Sequence, residues 1–91
     1  MNKPFWKVVF TTKSEKTFFK LEVKVQKQIQ GYLRTKIATS MNPRRLGKPL
    51  SGKLSGFWRY RVGDYRLICS IQDDELIVLM VTIGHRKDIY H

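Results

Sequence analysis

Apolar and polar residues along the chain change period twice, and those changes predict most of its elements. Trp6, Lys7, Val8, Val9 and Phe10 partly alternate, which predicts a first strand. Thr12-Lys13-Ser14-Glu15 has the spacing of a capping box, a threonine with a glutamate three residues on. A short helix carrying Phe18, Phe19 and Leu21 is expected after it. From about Val23 to Thr39, the residues Val25, Ile29, Tyr32, Leu33 and Ile37 recur near helical spacing and predict a second helix. Gly31 falls inside it at a cost of about 1 kcal/mol relative to alanine, and Asn42-Pro43 ends it. Arg44 to Gly56 is rich in Gly, Pro, Ser and basic side chains and reads as a loop.

The last third predicts three strands: Phe57 to Val62, Tyr65 to Ile71 and Leu76 to Ile83. Gly63-Asp64 is a two-residue hairpin turn and Asp73-Asp74 marks the next turn. The order β-α-α-β-β-β predicts an α+β fold, a small antiparallel sheet with two N-terminal helices packed on one face. Residues 1–91 are expected to form a single domain.

The hairpin register sorts the side chains. With Gly63-Asp64 as the turn, Val62 lies opposite Tyr65, Arg61 opposite Arg66, Tyr60 opposite Leu67 and Arg59 opposite Ile68. Directly opposed residues share a side of the sheet. One side then carries Trp58, Tyr60, Val62, Tyr65, Leu67, Cys69 and Ile71, and belongs under the helices. The other carries Arg59, Arg61 and Arg66. Like charges opposed on a sheet are destabilising, so the patch is read as an anion site, where planar guanidinium forks suit phosphate. Strand Leu76 to Ile83 is apolar on both faces, as an interior strand would be.

Charge strengthens that reading. Eighteen Lys and Arg against seven Asp and Glu give a net charge of +11, an excess that points to a polyanionic partner. Other chemistries fit less well. His85 and His91 have no matching carboxylate cluster, so no metal site and no cofactor are expected. Gly47-Lys48 lacks the glycine spacing of a phosphate loop. The single cysteine, Cys69, falls on the predicted core face and cannot form an internal disulfide. With no secretory segment and no apolar run near the ~18 residues of a membrane span, a cytoplasmic, membrane-free protein is expected.

One reaction suits arginines and a tyrosine. RNA carries its own nucleophile, the 2′-OH beside the scissile phosphate. An enzyme must take its proton, neutralise charge building on phosphorus and help the 5′ oxygen leave. Arginines supply the electrostatic part. A tyrosine can act as base if neighbouring cations lower its pKa, and histidines can serve as acid or base.

The stretch from Leu50 to Ile68, LSGKLSGFWRYRVGDYRLI, resembles the central hairpin of the RelE/ParE toxins. Ile83-Gly84-His85-Arg86-Lys87-Asp88-Ile89-Tyr90 is similar to the family's last strand and tail. The resemblance implies a type II toxin neutralised by a cognate acidic, RelB-like antitoxin. In the RelE branch it implies entry into the ribosomal A site and cleavage of mRNA there. By position it implies Tyr90 as general base and Arg86 as acid or leaving-group stabiliser. Arg61 and Arg66 would contact the phosphate, and Arg59 would orient substrate or bind ribosomal RNA. His91 follows Tyr90, so a histidine base, His85 or His91, stays open. Lys48, Lys53, His85 and Lys87 are the further candidate nucleic-acid contacts. The same fold also serves ParE toxins, which inhibit DNA gyrase and cut no RNA, and that reading is the alternative.

Overall fold

The first helix is capped by Thr11, one residue before the cap that the sequence spacing predicts. In the computed structural model, which describes residues 5–85, β1 (Lys7–Phe10) leads into α1 (Thr12–Lys20). The Thr11 hydroxyl oxygen accepts the Ser14 backbone N–H at 3.1 Å. The Ser14 hydroxyl, almost wholly buried, lies 2.8 Å from the Met80 carbonyl. That bond pins the first turn of α1 to the sheet and sets its phase.

Helix α2 (Val23–Tyr32) continues directly into a π-helical turn at Leu33–Ile37. The wider turn ends with the Ala38 N–H on the Leu33 carbonyl at 2.8 Å. The Ala38 carbonyl then accepts from Phe5 and Trp6 at 2.7 and 3.0 Å, tying the helix end to the start of β1. The helical run stops at Ile37, short of the expected Thr39.

Arg44 to Gly56, expected to be a loop, is entered through a 3₁₀ turn at Pro43–Leu46 and contains a two-residue strand β2 (Lys48–Pro49) and another 3₁₀ turn at Gly52–Leu54. β2 is too short to show alternation, and its proline is tolerated because the strand is at the sheet edge. Strands β3 (Trp58–Val62), β4 (Tyr65–Gln72) and β5 (Ile77–His85) follow. The sheet order is β1-β5-β4-β3-β2.

The α+β class and the helix layer are as expected, but the sheet is mixed. β1 runs parallel to β5, with Lys7 paired to Ile77 and Phe10 to Met80. β2 to β5 are antiparallel. Pairing between the two ends of a chain leaves no trace in local periodicity. β5 lies inside the sheet, consistent with its apolar residues on both faces. Its register shifts between Ile68 and Cys69 of β4, which face Thr82 and Met80, leaving Val81 as the extra residue of a bulge.

The core fills the space between the helices and one sheet face. Phe18, Ile29, Leu33 and Ile37 from the helices meet Tyr60, Val62, Leu67, Cys69, Val78, Met80 and Ile83. Tyr60 is buried, and its hydroxyl donates to the Pro43 carbonyl at 2.6 Å. Among the described residues, no helix is long and apolar enough to cross a membrane.

Candidate active site

The β3–β4 hairpin adopts the register that the turn predicts. Arg61 pairs with Arg66, Arg59 with Ile68, Tyr60 with Leu67 and Val62 with Tyr65. Gly63 has φ 58° and Asp64 does not have positive φ, the pattern of a two-residue turn with glycine first. The Gln28 side chain of α2 lies against this turn, 3.1 Å from where a Gly63 Cβ would stand. Residues of alternate parity therefore separate cleanly. Tyr60, Val62, Leu67 and Cys69 enter the core, while Arg59, Arg61 and Arg66 share the open face.

That face is more basic than the hairpin alone implies. β2 places Lys48 opposite Arg59, so Lys48, Arg59, Arg61 and Arg66 lie on three neighbouring strands and one side of the sheet. Gly84 of β5 stands opposite Arg66 and contributes no side chain there. Arg61 is exposed, whereas Arg59 and Arg66 are half-buried, with Nε and Nη1 of Arg66 out of reach of solvent. Arg59, Arg66, Asp64 and His85 all have interaction partners. Toward β1 the same face turns apolar, with Ile68 (3% exposed), Leu79 and Val9.

The remaining candidate residues are distributed differently. Lys53 lies on the exposed 3₁₀ turn between β2 and β3. His85 faces Tyr65, with ring centroids 5.5 Å apart in an edge-on contact. Since Tyr65 has the core parity, His85 falls on the helix side of the sheet rather than among the arginines. Arg86, Lys87, Tyr90 and His91 lie outside the described residues.

Several groups are removed from acid–base work by their surroundings. Burial pushes the Cys69 thiol up to about 12, so it is a packed apolar group rather than a nucleophile. Burial also raises the Tyr60 and Tyr32 phenols, with Cys69 adding a smaller push to each. Neither suits a base, and Tyr60 points away from the arginines. Among the described residues, no group of three His, Cys, Asp or Glu side chains could hold a metal ion.

Two features were not legible in the sequence. The first is β2, which brings Lys48 into the patch. The second is the tie at the opposite end of the hairpin. Arg44 reaches both Asp73 carboxylate oxygens, at 2.9 and 2.6 Å, and stacks 5.8 Å from the Trp58 ring centre. Arg44's hydrogen bond holds the Asp73 carboxyl below its usual range. The tie anchors the segment leading to β2. A separate groove of about 720 Å³ follows the other sheet edge, between β1 and the α2 end, lined by Trp6, Val8, Phe10, Leu33 and Arg34. It is remote from the arginine patch and carries no comparable cluster of cations.

Comparison with known proteins gives a consistent family. The family model described as "ParE toxin of type II toxin-antitoxin system, parDE" matches residues 8–90. Toxin RelG of Mycobacterium tuberculosis is 34% identical over 83 residues, covering 91% of this chain and 93% of that protein. Toxin RelE of the same organism is 43% identical over 49 residues, 54% of this chain and 50% of that protein. The RelBE2 toxin–antitoxin complex of M. tuberculosis contains a chain that superposes with a TM-score of 0.81 at 30% identity, covering 92% of this chain and all (100%) of that one. Isolated E. coli RelE shares the fold, with a TM-score of 0.69 at 18% identity over 88% of this chain and 83% of that one. With the hairpin, the helix layer and the overall path in common, the chain belongs to the RelE/ParE family of type II toxin–antitoxin toxins.

Proposed function

We propose that this toxin is an mRNA endonuclease that cuts by attack of the RNA's own 2′-OH, on translating ribosomes and without a metal ion. The observation that carries the reading is the row of Lys48, Arg59, Arg61 and Arg66 on one open sheet face. Opposed cations disfavour the fold, and a phosphate in transit through a more highly charged state turns that cost into function.

In the reaction the 2′ oxygen loses its proton and bonds to phosphorus. The P–O5′ bond breaks, and the departing O5′ takes a proton. The products are a 2′,3′-cyclic phosphate and a 5′-OH end. Arg61 and Arg66, opposite each other on the hairpin, stabilise the charge on the non-bridging oxygens. Arg59 and Lys48 hold the flanking strand, with Lys53 and Lys87 as outer contacts. Family resemblance assigns the proton acceptor to Tyr90 and the donor to Arg86. The arginine patch is the environment that lowers a phenol's pKa, whereas Tyr60 and Tyr32 are shifted the wrong way.

The relatives named RelG and RelE support the RNA-cleaving branch. The solved RelBE2 and E. coli RelBE toxin–antitoxin complexes support an antitoxin as partner. An acidic, RelB-like antitoxin segment laid on the basic face would block RNA and stabilise the fold. Its site of action is the cytoplasm, where the ribosome meets mRNA in the A site. The family model named for ParE favours a second reading, gyrase inhibition. Primer extension on mRNA from a translating extract separates the two. Codon-spaced cuts that survive Arg61→Ala, or intact mRNA with blocked gyrase supercoiling, would overturn the proposal.

A further inference from the structure

β2 is the least supported part of the cationic face. It consists of Lys48 and Pro49 at the sheet edge and pairs with β3. Lys48 stands opposite Arg59, and like charges so opposed push strands apart. A ladder this short is a slight hold for such a strand.

Three contacts just upstream supply what the ladder lacks. On the buried side, the Tyr60 hydroxyl donates to the Pro43 carbonyl at 2.6 Å. Gly47 sits flush on β3, where an added Cβ would stand 3.0 Å from the Tyr60 ring and 3.3 Å from the Arg59 carbonyl oxygen. Between them, Arg44 crosses Trp58, the first residue of β3, with its guanidinium 5.8 Å from the ring centre. It then grips both carboxylate oxygens of Asp73, the residue after β4, at 2.9 and 2.6 Å. The Arg44 and Asp73 side chains are 32% and 60% exposed, so the pair adds little to global stability. A two-pronged arginine–carboxylate pair does fix geometry. Here it straps the approach to β2 across the end of β3 and limits where Lys48 can stand.

We propose that Arg44 and Asp73 are positioning residues for RNA: their strap over Trp58 holds β2 on β3 and so sets Lys48 beside Arg59 in the cationic row. The role rests on the reading of that row as an RNA site, given above. Lys48 makes the contact, and the strap acts through it. Charge alone predicts the opposite sign for Asp73. It is one of seven acidic residues on a chain of net charge +11, so removing it should tighten polyanion binding by simple electrostatics. As a positioning residue, its removal loosens binding.

The test is fluorescence anisotropy of the full-length protein with a labelled single-stranded RNA, fully 2′-O-methylated so that it cannot be cut, over a series of salt concentrations. Lys48→Ala should weaken binding about fivefold at ~0.1 M salt and lower the slope of log affinity against log salt by ~0.7, the loss of one single-strand phosphate contact. Asp73→Asn should weaken binding at least ~2-fold despite the lost negative charge, and lower the slope by part of the same ~0.7. Asp73→Glu, which keeps the carboxylate, should restore most of that loss. Gly47→Ala alters no charge and should weaken binding as Asp73→Asn does, because its methyl group lifts the segment off β3. In a Lys48→Ala background, Asp73→Asn should no longer weaken binding. Asp73→Asn should melt within about 5 °C of wild type. Tighter or unaltered binding by Asp73→Asn, or the same weakening with and without Lys48, would overturn the proposal. On programmed ribosomes, Asp73→Asn should raise KM and leave kcat nearly unchanged, as lost uniform binding does. Strap-dependent RNA binding by a protein that cuts no mRNA would leave the strap standing and remove the nuclease reading. Normal kcat/KM in Asp73→Asn, where Lys48→Ala cuts poorly, would do the reverse.

Discussion

Replacing Arg61 by alanine should separate function from folding. Arg61 is exposed and stands directly opposite Arg66. Opposed Cβ atoms on antiparallel strands lie about 5 Å apart, and flexible stems let the guanidinium groups splay to ~7 Å. At that distance two unit charges in water repel by about 0.6 kcal/mol. Screening over ~10 Å in 0.1 M salt leaves about half, and screening over ~3 Å in 1 M salt leaves almost none. Relief of ~0.3 kcal/mol corresponds to roughly 1–2 °C in the melting temperature of a domain this small. Arg61→Ala should therefore gain ~1–2 °C on wild type in going from 1 M to 0.1 M salt. Alanine's poorer strand preference is the same at both salts and cancels in that difference. Cleavage of mRNA should meanwhile fall by about two to three powers of ten, the usual loss when a donor to a developing charge is removed. Leu67→Ala, on the opposite parity and fully buried, should instead lower stability by about 2–5 kcal/mol. The measurements are melting curves at two salts and a single-turnover cleavage rate. An Arg61→Ala protein that melts many degrees lower at both salts yet cuts normally would refute the assignment of this face to catalysis.

Tyr60→Phe removes the 2.6 Å bond to the Pro43 carbonyl and leaves a buried acceptor without its donor, which should lower stability by about 1–3 kcal/mol in chemical denaturation with the folded protein still active. Alkaline pH should destabilise the fold. Burial raises the folded pKa of Cys69 to about 12 and that of Tyr60 as well, so their contribution is complete below about pH 9, the unfolded thiol's range. It is then lost as pH rises toward 12, because only the unfolded chain releases the protons. Cys69→Ala should make the fall in melting temperature between pH 9 and 11 shallower, and an unchanged slope would contradict the burial argument.

Periodicity and one turn made the hairpin legible. Gly63-Asp64 fixes the register, and register alone decides that Arg61 meets Arg66 while Tyr60 enters the core. The helix layer was readable from Ile29, Leu33 and Ile37 at helical spacing. What escaped depends on distant partners. The parallel pairing of β1 with β5 joins residues from opposite ends of the chain. β2 exists only because Lys48 and Pro49 find β3. The Thr11 cap won over Thr12 because Ser14 bonds Met80, a residue of the last strand. His85 was singled out by its type and neighbours, but the strand's parity turns it toward Tyr65 and away from the arginines.

The most direct test of the central claim uses an mRNA with a single 2′-deoxynucleotide at a mapped cleavage position, translated with the purified toxin and followed by primer extension. Removing that hydroxyl removes the nucleophile and leaves pairing, ribosome passage and the phosphate unchanged. The account predicts that cutting disappears at the substituted position and continues at neighbouring sites, whose products end in a 2′,3′-cyclic phosphate and a 5′-OH. Undiminished cutting at the deoxy position would contradict it.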